Sequence, residues 1–438
     1  MSERLGTTDT ETNESAGEIR TVSFVSLGCP KNLVDSEKML GVLAEHGIAP
    51  VSSTAGENRE DLSVAGSEQD TTAVGESSFQ IDRADAVVIN TCGFLEASKQ
   101  ESLGVVDAAV KAKERGEIKR VVVAGCLVQR HRAKMLEWAP GIDAMLGVYD
   151  REKILDAVRG KRPERKGLDD QGELAPFWIS KNAKDAAADQ GRDVVGLTID
   201  GKRGTTGLGY YESDAGRLRL TPRHYAYLRI SEGCNQACAF CTIPSIRGRM
   251  RSKRTQDILN EGRELLRDGA FELMLIGQDT TSYGEDIGLV PEGQRSSGLA
   301  QLLEDLDHLV REETSAGWLR LMYAYPTTFD ERTVDRFAEI ASRGRLLPYI
   351  DIPLQHASDN LLDRMRRRVT ADQQLKLMQL LREQIPGMAI RTTFISGFPG
   401  ETEEDHEHLL EFIDEVGFDA VGVFTYSPEP STPAGKMH

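Results

Sequence analysis

Half of the six cysteines in this 438-residue chain fall in one stretch, SEGCNQACAFC, as Cys234, Cys238 and Cys241. The spacing C-x3-C-x2-C lets three thiolates from one loop hold three irons of a four-iron, four-sulfur cluster and leaves the fourth iron open. A structural zinc site would want a fourth ligand nearby, and no other cysteine lies within a hundred residues on either side. An open metal position is what a catalytic centre requires. The other three cysteines, Cys29, Cys92 and Cys126, each end a β-branched run and each adjoin a glycine, in LGC, TCG and AGC. Two groups of three with none left over point to two clusters. The competing reading makes the second group small buried hydrophobes at strand ends, a common fate for free cysteine.

The elements around these residues read as two α/β units. TVSFVSLGC is a strand, followed by the helical pattern KNLVDSEKMLGVLAEHG. DAVVINTCGF precedes a helix from Glu96 to about 115, and RVVVAGCLVQR repeats the strand-end motif. Strands separated by helices build a parallel sheet whose carboxyl ends share one edge, so Cys29, Cys92 and Cys126 are expected to converge. This unit spans 20–159. It follows a polar tail (1–19) expected to be disordered and contains an acidic insertion at about 51–80. Residues 160–220 read as a linker with a small hairpin at VVGLTID.

From 221 to 430 six strand candidates (224–231, 271–277, 317–324, 347–354, 388–395 and 418–425) alternate with helical patterns such as TQDILNEGRELLRDG. Six such units build a partial (β/α)6 TIM-like barrel. The active site of such a barrel lies on the loops after its strands, and the three-cysteine loop follows the first one.

The formal charge of -17 argues against general adhesion to nucleic acid or anionic membrane, while 39% hydrophobic residues suits a soluble protein. No apolar run has membrane-spanning length and no secretory signal opens the chain, so a cytoplasmic, reducing location without membrane attachment is expected.

A four-iron cluster with an open iron in a (β/α) barrel points to S-adenosylmethionine (SAM) cleaved by one electron. The cysteine loop, with Phe240 before its last cysteine, resembles the radical SAM superfamily. SLGCPKNLVDSE, NTCGF, SEGCNQACAFCTIPSIRGRMRSK, GQDTTSYG, DIPLQHAS and RTTFISGFPGET are similar to its methylthiotransferases over most of 21–430. The opening and GQDTTSYG motifs resemble the branch acting on protein twelve of the small ribosomal subunit (S-twelve).

That resemblance implies transfer of a methylthio group to the β-carbon of an aspartate in S-twelve, with two SAM molecules and two 4Fe-4S clusters. Cys234, Cys238 and Cys241 would carry the radical SAM cluster, and Cys29, Cys92 and Cys126 an auxiliary cluster. It also implies a reductant protein and action in or near the ribosome with local RNA contact. The alternatives are a tRNA adenosine methylthiotransferase (MiaB-like) and a non-catalytic two-cluster electron carrier. No catalytic side chain is assigned. Gln278, Gln355 and Arg391 are expected to line the SAM pocket from strand ends, against the alternative that neighbouring loop backbone satisfies each.

The resemblance implies a C-terminal β domain, TRAM, which would begin where this sequence stops at STPAGKMH, and residues 431–438 read as a truncated tail. The basic runs Arg247 to Arg254 and Arg364 to Arg368 read as solvated faces, or else as anchors for a carboxylate or RNA. His356 reads as hydrogen-bonded structure before a general base, and the FPGE turn at 398–401 as an approach to SAM or an ordinary turn.

Overall fold

The computed structural model describes residues 18–51, 83–163, 175–189, 213–290 and 297–437. The acidic insertion, the VVGLTID hairpin and nearly all of the N-terminal tail lie outside them.

The N-terminal sheet has six parallel strands: β1 (Thr21–Ser26), β2 (Ala49–Pro50), β3 (Ala86–Thr91), β4 (Arg120–Gly125), β5 (Ala144–Leu146) and β6 (Phe177–Trp178), in the order β2-β1-β3-β4-β5-β6. Its helices are α1 (Pro30–Glu45), α2 (Glu96–Glu114), α3 (Cys126–His131), α4 (Lys134–Trp138), α5 (Ile154–Arg159) and α6 (Ala183–Asp189). A parallel sheet covered on both faces needs strands apolar on both sides, and AVVINT and RVVVAG supply them. With a side-chain period of two, Val87, Ile89, Val121 and Val123 pack with Val105 and Val106 of α2. Ala86, Val88 and Val122 pack on the opposite face with Met39, Leu40 and Leu43 of α1.

Part of the expected linker belongs to this sheet. Phe177–Trp178 pairs in parallel with β5, and the Asp150 carboxylate fixes the turn after it by accepting from Ser180 N and Oγ at 2.8 and 2.7 Å. The stretch before the second unit also lies on α1, where Leu218 N donates to Glu37 O at 3.1 Å. The buried Glu37 carboxylate needs donors of its own, and Oε1 accepts from the backbone N–H groups of Leu220 at 2.8 Å and Thr221 at 3.4 Å.

The second unit follows the expected alternation. Its strands are β7 (Tyr225–Arg229), β8 (Ser231–Glu232), β9 (Arg251–Ser252), β10 (Glu272–Ile276), β11 (Trp318–Leu321), β12 (Leu346–Asp351), β13 (Ala389–Ser396) and β14 (Ala420–Thr425). Six of them form a parallel sheet in the order β14-β13-β12-β11-β10-β7, and β8 and β9 make a short antiparallel ribbon. The helices are α7 (Ile243–Arg247), α8 (Thr255–Arg267), α9 (Ser297–Glu313), α10 (Glu331–Ala341), α11 (Asp359–Arg364), α12 (Ala371–Gln384) and α13 (Glu403–Val416).

Register separates the two faces of this sheet. Leu275 pairs with Leu228 and Leu321, and all three join the core beneath the helices. Met274 pairs with Tyr227 and Arg320, so the other face carries large polar and polarizable side chains. Arg320 adds an ion pair to Glu272 at 2.5 Å and lies 4.6 Å from the Tyr349 ring. One face holds the fold together and the other is left for chemistry.

Candidate active site

Cys29, Cys92 and Cys126 come together at the carboxyl edge of the N-terminal sheet. Cys29 caps α1 with Pro30 at the first helical position, Cys92 follows β3, and Cys126 opens α3 directly after β4. The adjoining glycines explain the repeated motif. Gly28 has φ +87°, and a Cβ there would lie 2.8 Å from Cys92 Cβ; a Cβ on Gly93 would lie 2.7 Å from Leu127 Cα and 3.0 Å from the Cys126 carbonyl carbon. Only residues without a side chain let the three cysteine-bearing turns approach so closely.

Asn32, one helical turn beyond Cys29, ties these turns together. Its Nδ2 donates to Leu27 O and Thr91 O, both at 2.9 Å, while its Oδ1 accepts from Cys126 Sγ at 3.5 Å and from Arg247 Nη2 at 2.5 Å. Burial pushes the Cys126 thiol up to about 12, and the Cys92 thiol is raised for the same reason.

The second trio lies in the loop between β8 and α7. Cys234 N donates to Gly248 O at 3.1 Å and Cys241 N to Cys238 O at 3.2 Å, which curls the loop on itself. Backbone N–H groups of Gln236 and Ile243 point at Cys234 Sγ and Cys241 Sγ, each at 3.4 Å. Arg367 Nη1 donates to Cys238 Sγ at 3.4 Å, and Tyr325 Oη lies 3.7 Å from the same sulfur. Donors aimed at all three sulfurs suit thiolates. Unbound, Cys234 and Cys241 are pushed up to about 12 by burial, with the Asp279 carboxylate adding to the effect at Cys234. A metal must therefore displace protons on binding. Among the described residues no three His, Cys, Asp or Glu side chains meet closely enough for a single ion. A four-iron cube spreads its corners wider than one ion, and the soft, all-thiol donor set suits it.

The two trios share one interface. α3 packs on α7, Ile246 joins the apolar cluster that contains Cys126, and Thr242 Oγ1 donates to Phe94 O at 3.5 Å. Beneath them runs a buried ion network. Asp35 of α1 accepts from Arg151, Arg229 and Arg247 at 2.5, 2.7 and 3.0 Å. Asp214 accepts from Arg229 and Lys253 at 2.6 and 2.9 Å, and Glu232 from Arg229 and Arg247, both at 2.8 Å. Burial alone would raise Glu232, but Arg247 and Arg229 outweigh it and hold the carboxyl well below its usual range. Lys31 crosses the interface as well: its Nζ donates to Gly277 O at 3.0 Å and sits 3.8 Å from the Tyr323 ring.

The first basic run is therefore mostly interior. Arg247, Arg251 and Lys253 are buried, whereas Arg249 and Arg254 are exposed. In the second run Arg367 is buried and Arg366 and Arg368 are exposed. The solvated-face reading missed these three inward cations and Arg367, and it missed Asn32 and Asp35. The i, i+2 spacing in RGRMRSK does not tell them apart, since Arg249 shares it and is exposed, whereas the polar Asn32 and Asp35 among the apolar residues that open α1 were a visible signal.

The three expected SAM-pocket residues occupy different places, and among the described residues no hydrogen bond joins them. Gln278, just past β10, donates from Nε2 to Glu232 Oε1 at 2.6 Å, and its own Oε1 is buried without a partner. Arg391 pairs with Asp351 at 2.8 Å from the first half of β13, below the carboxyl edge. Gln355, at φ +78°, bridges to β13 through its backbone. His356 is fully buried, with Nδ1 accepting from Ser358 N at 3.0 Å and Nε2 3.5 Å from Glu401 Oε1. Phe398 of the FPGE turn packs behind the cysteine loop with Ala239, Leu361, Met365 and Ala434. The segment read as a tail belongs to the same assembly: Ala434 N donates to Ala239 O at 2.9 Å, and Ser431 Oγ accepts from Arg130 Nη2 at 3.3 Å.

Comparison with known proteins places this geometry. The radical SAM superfamily matches residues 228–413, and Uncharacterized protein family UPF0004 matches 57–147. A protein of Solibacter usitatus named Ribosomal protein uS12 methylthiotransferase RimO is 38% identical over 411 residues, covering 94% of this chain and 72% of the relative. Its namesake from Akkermansia muciniphila is 37% identical over 430 residues, covering 95% and 80%. Among solved structures, the radical SAM methyltransferase TsrM from Kitasatospora setae superposes with a TM-score of 0.56 at 15% identity, over 95% of this chain and 77% of that one. The cobalamin-dependent radical enzyme OxsB gives 0.53 at 14% identity, over 90% and 52%, and both likenesses bear on the fold alone.

Proposed function

Because the chain belongs to the RimO group of radical SAM methylthiotransferases, we propose that it transfers a methylthio group to the β-carbon of an aspartate in ribosomal protein uS12, using two SAM molecules. Its cofactors are SAM and 4Fe-4S clusters. Cys234, Cys238 and Cys241 hold the cluster that meets SAM; Cys29, Cys92 and Cys126 hold the auxiliary one. The observation that carries this reading is the meeting of both trios at one interface through α3 and α7.

When bound, these groups supply one-electron cleavage of SAM, removal of a hydrogen from an unactivated carbon, and delivery of the methylthio group. The protein's own work is placement. N–H groups of Gln236 and Ile243 orient two of the loop sulfurs, Asn32 fixes the turns around Cys126, and the ion network holds the two units in register. Phe398 closes the back of the loop against water. Gln278, with an unpartnered oxygen beside the network, and Arg391, on the inner face, are the side chains offered to SAM or substrate; Gln355 contributes through its strained turn.

A one-electron reductant protein must feed the loop cluster, and exposed Arg249, Arg254, Arg366 and Arg368 suit contact with ribosomal RNA near uS12. A cytoplasmic location follows from that substrate, and no described helix is long and apolar enough to cross a membrane. Anaerobic reconstitution followed by SAM cleavage with a strong reductant tests the reading. Cys234→Ala is expected to abolish deoxyadenosine formation, whereas Cys92→Ala keeps it but adds no methylthio group to a uS12 peptide. Equal activity of both variants and the parent would sink the assignment, and modification of tRNA in place of the peptide would replace the substrate.

A further inference from the structure

Arg367 is a buried guanidinium, 3% exposed, and no carboxylate pairs with it among the described residues. Its three contacts are all to neutral or sulfur groups. Nη1 reaches Cys238 Sγ at 3.4 Å, Nη2 donates to Pro353 O at 2.5 Å, and the guanidinium carbon lies 4.2 Å from the Tyr325 ring; Nε is buried with no partner. A charge so placed is costly unless an anion accompanies it. The backbone is bent to hold it there. Arg366 and Arg368, on either side, have φ of +59° and +54°, a region that costs a side-chain-bearing residue on the order of 1–3 kcal/mol.

The arginine at the other trio is differently placed. Arg247 shares Asn32 Oδ1 with Cys126, yet its charge is already met by Asp35 and Glu232. Of the two arginines near sulfur, only Arg367 has no carboxylate partner among the described residues.

From this we infer that Arg367 is a positioning residue that raises the reduction potential of the cluster on Cys234, Cys238 and Cys241, an inference that rests on the ligand assignment proposed above. One electron, supplied by the reductant, increases the negative charge of a thiolate-bound cluster. A fixed cation at a ligand sulfur stabilises the reduced form more than the oxidised one, because cluster potentials follow net charge and hydrogen bonds to sulfur. Asp279 opposes it. Its carboxylate, fixed by Gln236 Nε2 at 2.8 Å and by Ser282 Oγ at 2.9 Å, acts on Cys234 with the opposite sign.

The test is an EPR-monitored redox titration of the full chain, reconstituted anaerobically with Cys29→Ala, Cys92→Ala and Cys126→Ala so that only the loop cluster loads. The same signal is identified in the parent chain by its response to SAM. At a fixed potential Arg367→Gln is expected to lower the ratio of reduced to oxidised cluster about tenfold, which is 59 mV for one electron. Arg367→Lys should fall between, and Asp279→Asn should move the ratio the other way. An unchanged ratio in a loaded Arg367→Gln protein overturns the inference. If that variant does not load, a ratio in Asp279→Asn that fails to rise overturns it instead. Absence of any cluster on the unaltered loop would remove the ligand assignment itself, a different failure.

Discussion

The two cysteine trios offer the same thiol donors but are made in opposite ways. The loop trio is written within residues 234–241 and curls through local bonds such as Cys241 N to Cys238 O at 3.2 Å. Its supports, Phe398, Tyr325 and Arg367, come from the barrel behind it. The strand-end trio exists only because three strands and their crossover helices bring Cys29, Cys92 and Cys126 to one edge, with glycines admitting the close approach. Among the described residues the arginine near the loop trio, Arg367, has no carboxylate, and the arginine near the strand-end trio, Arg247, has two. The first site is thus a local turn with an adjustable field, and the second is a product of tertiary packing whose arginine is already paired.

The largest expected effect breaks that balance. Arg247→Met would leave Asp35 and Glu232 short of a buried partner and should cost about 3–5 kcal/mol of unfolding free energy in a denaturant titration. Arg367→Met abandons no carboxylate. It leaves the Pro353 carbonyl unpaired and packs less well but also removes a buried charge that no carboxylate meets, so the cost should be no more than about 1–3 kcal/mol. Equal costs would show that the charge contrast between the sites has no energetic meaning.

A smaller change separates assembly from local encoding. Gly93→Ala places a Cβ 2.7 Å from Leu127 Cα, so the turn after β3 must move away from α3. The expected cost is about 1–3 kcal/mol. Iron bound by the strand-end trio should fall while SAM cleavage at the loop persists. Loss of both functions together would mean that the loop trio needs the N-terminal turns to form.

The same distinction governs how much was legible in the sequence. All six barrel strands and the three cysteine-ended strands of the N-terminal parallel sheet were readable, because apolar runs at strand and helix periods report burial directly. The loop trio was readable from spacing, and the strand-end trio from three glycine-flanked cysteines. Partners fixed only by tertiary approach were not. Arg229 and Asp35 are 194 positions apart, Arg367 and Cys238 are 129, and nothing local marks either as a pair. Phe177–Trp178 was hidden for another reason: two residues are too few to show a period, and the strand exists because β5 offers it an edge. Arg391 was placed at the carboxyl edge on strand membership alone, whereas the β12 to β13 register sets it opposite Asp351.

The smallest effect concerns the exposed members of the basic runs, and it tests whether exposure leaves a role in docking. Lys253 cannot be removed without unpairing Asp214 and Glu261, which it reaches at 2.9 and 2.5 Å. Arg249 and Arg254 are exposed, and Arg249→Ala with Arg254→Ala should change stability by no more than about 0.5 kcal/mol. Turnover of a short uS12 peptide should stay the same, since the donors to the cysteine sulfurs come from other residues. Binding to small ribosomal subunits should weaken, with the slope of log affinity against log salt falling by about 1 for each phosphate the variant no longer neutralises. A salt slope identical to that of the parent would remove these arginines from the docking surface and leave Arg366 and Arg368, flanking the cysteine loop's own arginine, as the exposed cations of the two runs still able to meet RNA.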